Sequence, residues 1–89
     1  MFRLVLTERA RRQIRGIPSD FLRNEILDEI AMLLDDPYPV GSELEDELLH
    51  RHRLKIDGWR IIYKVAIDDE IITVLTVRQR NRNTYLNVP

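Results

Sequence analysis

The pattern of apolar and polar residues predicts a strand and a helix at the start of the chain. Residues 2–6 alternate with the two-residue period of a β-strand. Thr7 is a suitable N-cap for a helix over about residues 8–15, because its side-chain oxygen can accept a backbone N–H of the first turn. Gly16 is a suitable residue to end that helix.

A second helix is predicted over about residues 19–35. Pro18 suits its first turn, and the Asp36-Pro37-Tyr38-Pro39 segment ends it. The two helices would form a hairpin joined at residues 16–18. Residues 40–47 are predicted to be a loop or poorly regular segment. Its acidic run is solvated, screens the neighbouring cations or supplies a carboxylate to a site. The apolar positions that repeat at helical spacing are Leu22, Ile26, Ile30 and Leu33.

Three strands follow, predicted over about residues 48–56, 59–67 and 71–79. Asp57-Gly58 between the first two is a strong signal for a two-residue hairpin turn. Residues 68–70 form the next tight turn. The last strand is apolar on both faces, which is typical of a strand inside a sheet.

This element order predicts an α+β fold in which residues 1–89 form a single domain. We expect an antiparallel sheet, joined by the N-terminal strand, with the helical hairpin packed on one face. The other face would be an open concavity rich in cations, because the alternation puts Arg51, Arg53 and Lys55 on one side of their strand. His50 and His52 would lie on the opposite, helix-facing side, and Trp59 and Tyr63 would belong to the core.

The distribution of charge supports a basic surface for binding phosphate. The net charge is −1, but residues 1–15 carry five arginines and one glutamate, whereas residues 16–49 carry ten acidic residues and one arginine. Residues 50–89 are basic again. Twelve of the fourteen cations are arginine, the residue suited to bidentate phosphate contacts, although a GC-rich genome would give the same composition.

Several classes of function are excluded or disfavoured by composition. The absence of cysteine excludes disulfides and thiolate metal sites, and no histidine–carboxylate spacing indicates a metal centre. No apolar run approaches the length of a membrane span, and the N-terminus does not read as a signal peptide. We therefore expect a cytoplasmic protein without a membrane partner, metal or other cofactor.

The region of the predicted hairpin resembles a known family. Residues 53–65, a basic strand followed by a turn and the run Trp-Arg-Ile-Ile-Tyr, are similar to the core of RelE/ParE-superfamily toxins. Residues 74–80, followed by Tyr85, resemble the last strand of that superfamily and its Arg…Tyr ending. The resemblance covers essentially the whole chain. It implies the toxin of a type II toxin–antitoxin pair, with a cognate antitoxin as partner.

The resemblance also implies site residues. Arg51 and Arg53 match basic strand residues of the RelE-like site, and Arg60 matches the arginine after the hairpin aromatic. Arg80 and Tyr85 match the arginine and tyrosine at the C-terminal end, the tyrosine only with a gap of about two residues. The implied catalytic set is Arg53, Arg60, Arg80 and Tyr85, and the implied RNA-binding or phosphate-binding set is Arg51, Arg53, Lys55, Arg78 and Arg82.

The RelE-like branch cleaves mRNA in the ribosomal A site without a metal, by attack of a ribose 2′-OH on the adjacent phosphate. Arginine can stabilise the charge that develops on phosphorus, but it is a poor acid or base. Several nucleases of the family have lysine where this chain has Arg51 and Arg53. The proton carrier is therefore open, with Tyr85, His50, His52 and Glu47 as candidates.

Three functions are compatible with these features. The first, which the cations at positions 51, 53, 60 and 80 favour, is a ribosome-dependent mRNA endoribonuclease whose partners are the ribosome, mRNA and an antitoxin. The second is a ParE-like inhibitor of DNA gyrase, and the third is a family member that only binds its antitoxin. The arginines of the first helix either grip ribosomal RNA or form a solvated surface.

Overall fold

The computed structural model describes residues 1–40, 42–46 and 50–79. The described residues form five β-strands and two α-helices, of which the first strand precedes the helices and the other four strands follow them. The helices are α1 (Glu8–Arg15) and α2 (Asp20–Met32). The strands are β1 (Arg3–Leu6), β2 (Glu43–Asp46), β3 (Arg51–Ile56), β4 (Trp59–Ala66) and β5 (Ile71–Gln79). None of the helices in the described part of the chain is long and apolar enough to cross a membrane.

The strands form one sheet in the order β1-β5-β4-β3-β2, which confirms the predicted α+β class. The sheet is mixed rather than wholly antiparallel, because β1 runs parallel to β5. Residues 43–46, which we expected to be irregular, form the edge strand β2 through antiparallel pairing with β3. The prediction failed because acidic residues have little strand preference of their own, so this strand depends on its pairing with β3.

Turn chemistry fixes the β3–β4 hairpin as expected. Asp57 has a φ of 45° and Gly58 a φ of 81°, so both central residues are left-handed, as a type I′ turn requires. Glu70 ends the turn between β4 and β5 with a φ of 56°, and its carboxylate accepts a hydrogen bond from the N-terminal amine at 2.7 Å. Both turns keep consecutive strands adjacent and antiparallel.

Side-chain caps set the start of each helix. Thr7 Oγ1 accepts the Ala10 N–H at 3.1 Å, as expected for the N-cap of α1. Ser19 Oγ accepts the Leu22 N–H at 3.2 Å, so Ser19 is the N-cap of α2 and the helix begins at Asp20. Pro18 therefore precedes the cap, whereas we had expected it within the first turn.

Both helices contribute to a core on one face of the sheet. The core is closed on the sheet side by Ile61 and Tyr63 of β4, each fully buried. The Tyr63 hydroxyl donates a hydrogen bond to the Pro37 carbonyl at 2.7 Å, which satisfies its polar atom. The core residues contributed by the helices, their connection and the C-cap of α2 are Ala10, Ile14, Ile17, Ile26, Ile30 and Leu33. We call this face of the sheet the covered face and the opposite face the open face.

Candidate nucleic-acid interface

Cations lie directly opposite one another across the open face. Lys55 on β3 pairs in register with Arg60 on β4, and Arg60 pairs in turn with Arg78 on β5. These three residues, which we call the cation row, cross three adjacent strands at one level. Nearer the other end of β3, Arg51 pairs in register with Lys64. Arg53 lies between these levels, opposite Ile62.

The cation row has an electrostatic cost. Among the side chains described for residues 1–40, 42 and 50–79, ion pairs join Met1 to Glu70 and Arg23 to Asp20, and neither pair involves the row. Like charges that are directly opposite on neighbouring strands destabilise a sheet, by roughly 0.2–1 kcal/mol a pair relative to a neutral pair. A folded protein keeps such an arrangement readily where an anionic ligand neutralises it.

Next to the cation row lies a groove of about 590 Å³. Its walls carry Arg9 of α1, Arg51 of β3 and Arg78 of β5, and all three are exposed. Its floor includes Ile62, which is only 5% exposed although it lies on the open face. Thr7, Leu75 and Thr76 complete the lining. The groove therefore combines an apolar floor with three guanidinium groups, a combination that suits a nucleotide.

The position of α1 beside β5 forms one wall of this groove. β1 ends at Leu6, and α1 then borders the part of β5 that β1 does not reach. The Thr7 hydroxyl donates to the Leu75 carbonyl at 2.9 Å, and Gln13 Oε1 accepts the Val77 N–H at 2.7 Å and the Thr76 hydroxyl at 2.9 Å. Gln13 thus replaces a neighbouring strand as the partner of the edge of β5.

An irregularity in β5 contributes to the same wall. Ile62 pairs with Thr76 and Tyr63 pairs with Val74, so Leu75 is an extra residue on β5 between these pairs. Such a bulge bends its strand locally and changes the direction of the following side chains. Leu75 is also the residue whose carbonyl holds Thr7. The bulge and the start of α1 are therefore fixed together at the groove.

A smaller cavity of about 110 Å³ lies at the tip of the β3–β4 hairpin. It is lined by Lys55, Gly58, Trp59 and Arg60. Two of these residues belong to the cation row, and Trp59 is half-buried against the core. The cavity thus continues the cationic surface to the end of the hairpin.

Many of the residues expected at the site share the open face. Arg51, Lys55, Arg60 and Arg78 lie there, and the register places Arg53 with them. Arg80, Arg82, Tyr85 and Glu47 lie outside the described residues. Arg9 and Lys64 were missing from the expected set. The alternation that placed Arg60 on the open face already placed Lys64 there, whereas the contribution of Arg9 depends on tertiary packing.

The two histidines differ in position. His52 lies on the covered side, where its ring stacks on Tyr63 at 5.5 Å between centroids and contacts Tyr38 at 4.9 Å. Burial, with a smaller contribution from His50, lowers the pKa of His52. His50 is exposed, in a left-handed conformation just before β3. The described residues contain no cluster of three or more histidine, aspartate or glutamate side chains that could hold a metal ion.

Comparison with protein families identifies the chain. Residues 4–84 match the family model described as "ParE toxin of type II toxin-antitoxin system, parDE". The chain belongs to this family. It is therefore a type II toxin of the RelE/ParE superfamily. A search of the curated proteins found no match to this sequence.

Solved structures of RelE toxins have the same fold. The isolated Escherichia coli RelE toxin is 20% identical, with a TM-score of 0.80 over 97% of this chain and 93% of that one. RelE in the intact E. coli RelBE toxin–antitoxin complex gives 20% identity and a TM-score of 0.78, over 92% of this chain and 100% of that one. The archaeal RelE–RelB complex from Pyrococcus horikoshii gives 20% identity and a TM-score of 0.76, over 91% and 97% of the two chains.

Proposed function

We propose that this toxin inhibits translation by cutting mRNA on the ribosome, as the RelE-like branch of the superfamily does. The observation that carries the proposal is the cation row Lys55–Arg60–Arg78, which crosses three strands at one level. Among the side chains that the structure describes (residues 1–40, 42 and 50–79), no carboxylate forms an ion pair with the row. The row costs stability; Lys55 and Arg78 are exposed and Arg60 is half-buried between them. A phosphodiester would neutralise it, which gives the arrangement a use that a purely structural face lacks.

The proposed reaction is transfer of the scissile phosphoryl group within the RNA strand. The 2′-oxygen forms a bond to phosphorus while the bond from phosphorus to the 5′-oxygen breaks, which leaves a 2′,3′-cyclic phosphate and a 5′-hydroxyl. Arg60 is in the middle of the cation row and is placed to hold the negative charge of the pentavalent transition state. Arg78 and Arg53 flank it, and Arg80 and Tyr85 remain proposed members of the set.

Lysine offers the proton chemistry that arginine lacks. The two lysines of the chain, Lys55 and Lys64, both lie on the open face, each opposite an arginine. A lysine amine can exchange a proton where a guanidinium cannot. We assign the exchange of a proton with the ribose 2′-oxygen or the leaving 5′-oxygen to Lys55, because it is in register with Arg60. The helix-facing position of His52 argues against that residue.

The partner that keeps the toxin inactive is proposed to be a cognate antitoxin. Solved RelE structures include complexes with RelB from E. coli and from P. horikoshii, which supports an antitoxin partner for this chain. The charge of the open face implies that an acidic segment of the partner lies on it, since opposite charges across an interface speed association and fix orientation. Such a segment would also exclude mRNA.

Inhibition of DNA gyrase is the second candidate. The observation that favours it is the family model, which is described as a ParE toxin. Arginine at positions 51 and 53, where several nucleases of the superfamily have lysine, also favours it. In this case the open face would contact gyrase or its DNA without chemistry.

The test compares purified variants in a translating extract with a defined mRNA, with cleavage mapped by primer extension. Arg60→Ala should reduce the cleavage rate by about 10³–10⁵-fold, the range for an arginine that stabilises a transferring phosphoryl group. Arg15→Ala is the matched control, because Arg15 is an exposed arginine in the last turn of α1 and lies away from both cavities. It should retain the wild-type rate.

Lys55→Arg keeps the positive charge and removes the amine, so it should reduce the cleavage rate at saturating ribosomes. Lys64→Arg provides the control at the other lysine. Cuts within codons that appear with wild type and disappear with Arg60→Ala would support the ribonuclease. Intact mRNA together with inhibited DNA supercoiling by gyrase would establish the second candidate instead.

A further inference from the structure

We propose that the groove between α1 and the sheet binds the stretch of mRNA strand next to the cleaved phosphodiester, and that Arg9 is the residue of α1 that holds it. This inference rests on the proposed ribonuclease function and adds a binding subsite to it. No residue of α1 belongs to the site implied by the family resemblance. The groove adjoins the cation row, because Arg78 belongs to both.

The position of Arg9 is set by its neighbours in α1. Arg9 and Gln13 are four residues apart, so they lie side by side on the helix. Gln13 hydrogen-bonds Thr76, which is itself part of the groove. The Thr7 hydroxyl, anchored on Leu75, fixes the start of the helix at the same place. The contacts of Thr7 and Gln13 with β5 thus hold the turn of α1 that carries Arg9 at the wall of the groove.

The chemistry of the groove matches a nucleotide better than a free anion. Arg9, Arg51 and Arg78 supply guanidinium groups on three different elements, so successive phosphates of one strand can each meet a cation. Ile62 and Leu75 supply an apolar surface against which a base can lie. A single strand can occupy a groove of about 590 Å³ with its bases unstacked, which a duplex cannot do.

Arg11 provides a matched control within the same helix. It is an exposed arginine two residues from Arg9, so it points away from the side of α1 that carries Arg9 and Gln13. Arg11 does not line the groove. Arg9→Ala and Arg11→Ala therefore remove the same charge from the same helix, and only the first removes it from the groove.

The first measurement is binding of purified toxin to a short fluorescein-labelled single-stranded RNA whose 2′-hydroxyls are methylated to prevent cleavage. Loss of one phosphate contact should reduce the slope of log K against log salt by about 0.7. We expect this reduction for Arg9→Ala and a wild-type slope for Arg11→Ala. Equal slopes for the two variants would overturn the inference.

The second measurement is ribosome-dependent cleavage as a function of toxin concentration. Arg9→Ala should raise the concentration for half-maximal cleavage and keep the saturating rate, because the groove binds substrate and transition state equally. Arg60→Ala should instead lower the saturating rate. A lower saturating rate for Arg9→Ala, with half-saturation unchanged, would contradict a binding role.

Ribosomal RNA carries the same phosphate chemistry, so a third measurement separates it from mRNA. Binding of the toxin to ribosomes without mRNA should be equal for Arg9→Ala and Arg11→Ala. Weaker binding of Arg9→Ala alone would assign the groove to ribosomal RNA and overturn the inference. Wild-type binding to the labelled RNA without any cleavage of mRNA would overturn the ribonuclease and leave the nucleic-acid groove standing.

Discussion

The two faces of the sheet come from the same strands, but one is apolar and buried and the other carries a row of cations. On β4, Ile61 and Tyr63 point into the core and are fully buried, whereas Arg60 and Lys64 point to the open face. The covered face gains free energy from apolar burial, and its tyrosine hydroxyl has a hydrogen-bond acceptor. The open face places like charges opposite one another and buries little apart from Ile62.

Stability therefore comes mainly from the covered face, and the proposed function is located on the open face. Side chains one residue apart on β4 should respond oppositely to truncation, because one contributes packing and the other contributes repulsion. Sites that bind or react commonly cost stability in this way, since the groups that suit a ligand do not suit one another.

The largest expected effect is on the covered face. Ile61→Ala removes a fully buried side chain and should lower the free energy of unfolding by about 2–5 kcal/mol, from lost burial and the remaining cavity. Urea unfolding followed by circular dichroism measures it. If the alanine variant does not fold, Ile61→Val provides a measurable loss of about 0.5–1.5 kcal/mol at the same position.

The control for this substitution is Ile67→Ala in the turn after β4, where the side chain is 62% exposed. It should change stability by no more than about 0.5 kcal/mol. Equal losses at Ile61 and Ile67 would break the assignment of the covered face as the source of stability.

The second prediction concerns Gln13, whose side chain connects α1 to the edge of β5. Gln13→Ala leaves the Val77 N–H and the Thr76 hydroxyl without their acceptor, so it should cost about 1–3 kcal/mol. Asn24→Ala, an exposed amide on α2, is the control and should be close to neutral. A neutral Gln13→Ala would mean that water replaces the side chain and that α1 is not fixed by it.

Local chemistry was sufficient to predict most of the elements. Thr7 as a cap, Asp57-Gly58 as a turn and the alternation of β3 and β4 are properties of a few neighbouring residues, and the structure agrees with each. The alternation alone placed Arg51, Arg53, Lys55 and Arg60 on one face. The family of the chain was likewise recognisable from residues 53–65.

Features that depend on pairing between separate strands were not predictable from the pattern of one segment. β2 exists because it pairs with β3, and β1 is parallel to β5 through contacts about 68 residues apart in the chain, such as that of Arg3 with Ile71. The extra residue at Leu75 leaves no mark in a segment that is apolar on both faces. The groove, and with it Arg9, follows from that bulge and from the packing of α1, so neither could be inferred from spacing.

The third prediction is a gain in the free energy of unfolding on the open face, opposite in sign to the loss expected on the covered face. Arg60→Gln should raise the free energy of unfolding by about 0.2–1 kcal/mol, because it removes repulsion with Lys55 and Arg78. The same variant should lose the proposed cleavage activity. The stability gain should shrink in high salt, which screens exposed charges.

Arg11→Gln, on the outer side of α1, is the control for the third prediction and should show a smaller gain in low salt. A loss of stability for Arg60→Gln at every salt concentration would mean that Arg60 is a packing residue, and the contrast between the faces would fail at its central position.

The smallest expected effect concerns two neighbouring carboxylates, Glu25 of α2 and Asp57 of the β3–β4 turn, which repel each other when both are ionised. The pKa of Glu25 is raised above its ordinary value of 4.5. The largest cause is a hydrogen bond with Asp57 at the tip of the hairpin, followed by burial and by the charges of Asp57 and Glu29. The folded protein therefore binds this proton more tightly than the unfolded chain. The resulting stabilisation is complete below about pH 4.5 and is lost as the pH rises through the raised pKa.

Glu25→Gln removes that titration, so thermal unfolding should show that the variant gains stability relative to wild type as the pH increases from 4.5 to 7. Asp28→Asn, an exposed carboxylate on the same helix, should follow the wild-type curve. Parallel curves for wild type and Glu25→Gln would show that the carboxylates separate in solution. The like-charge penalty would then be confined to the open face, where a ligand is available to remove it.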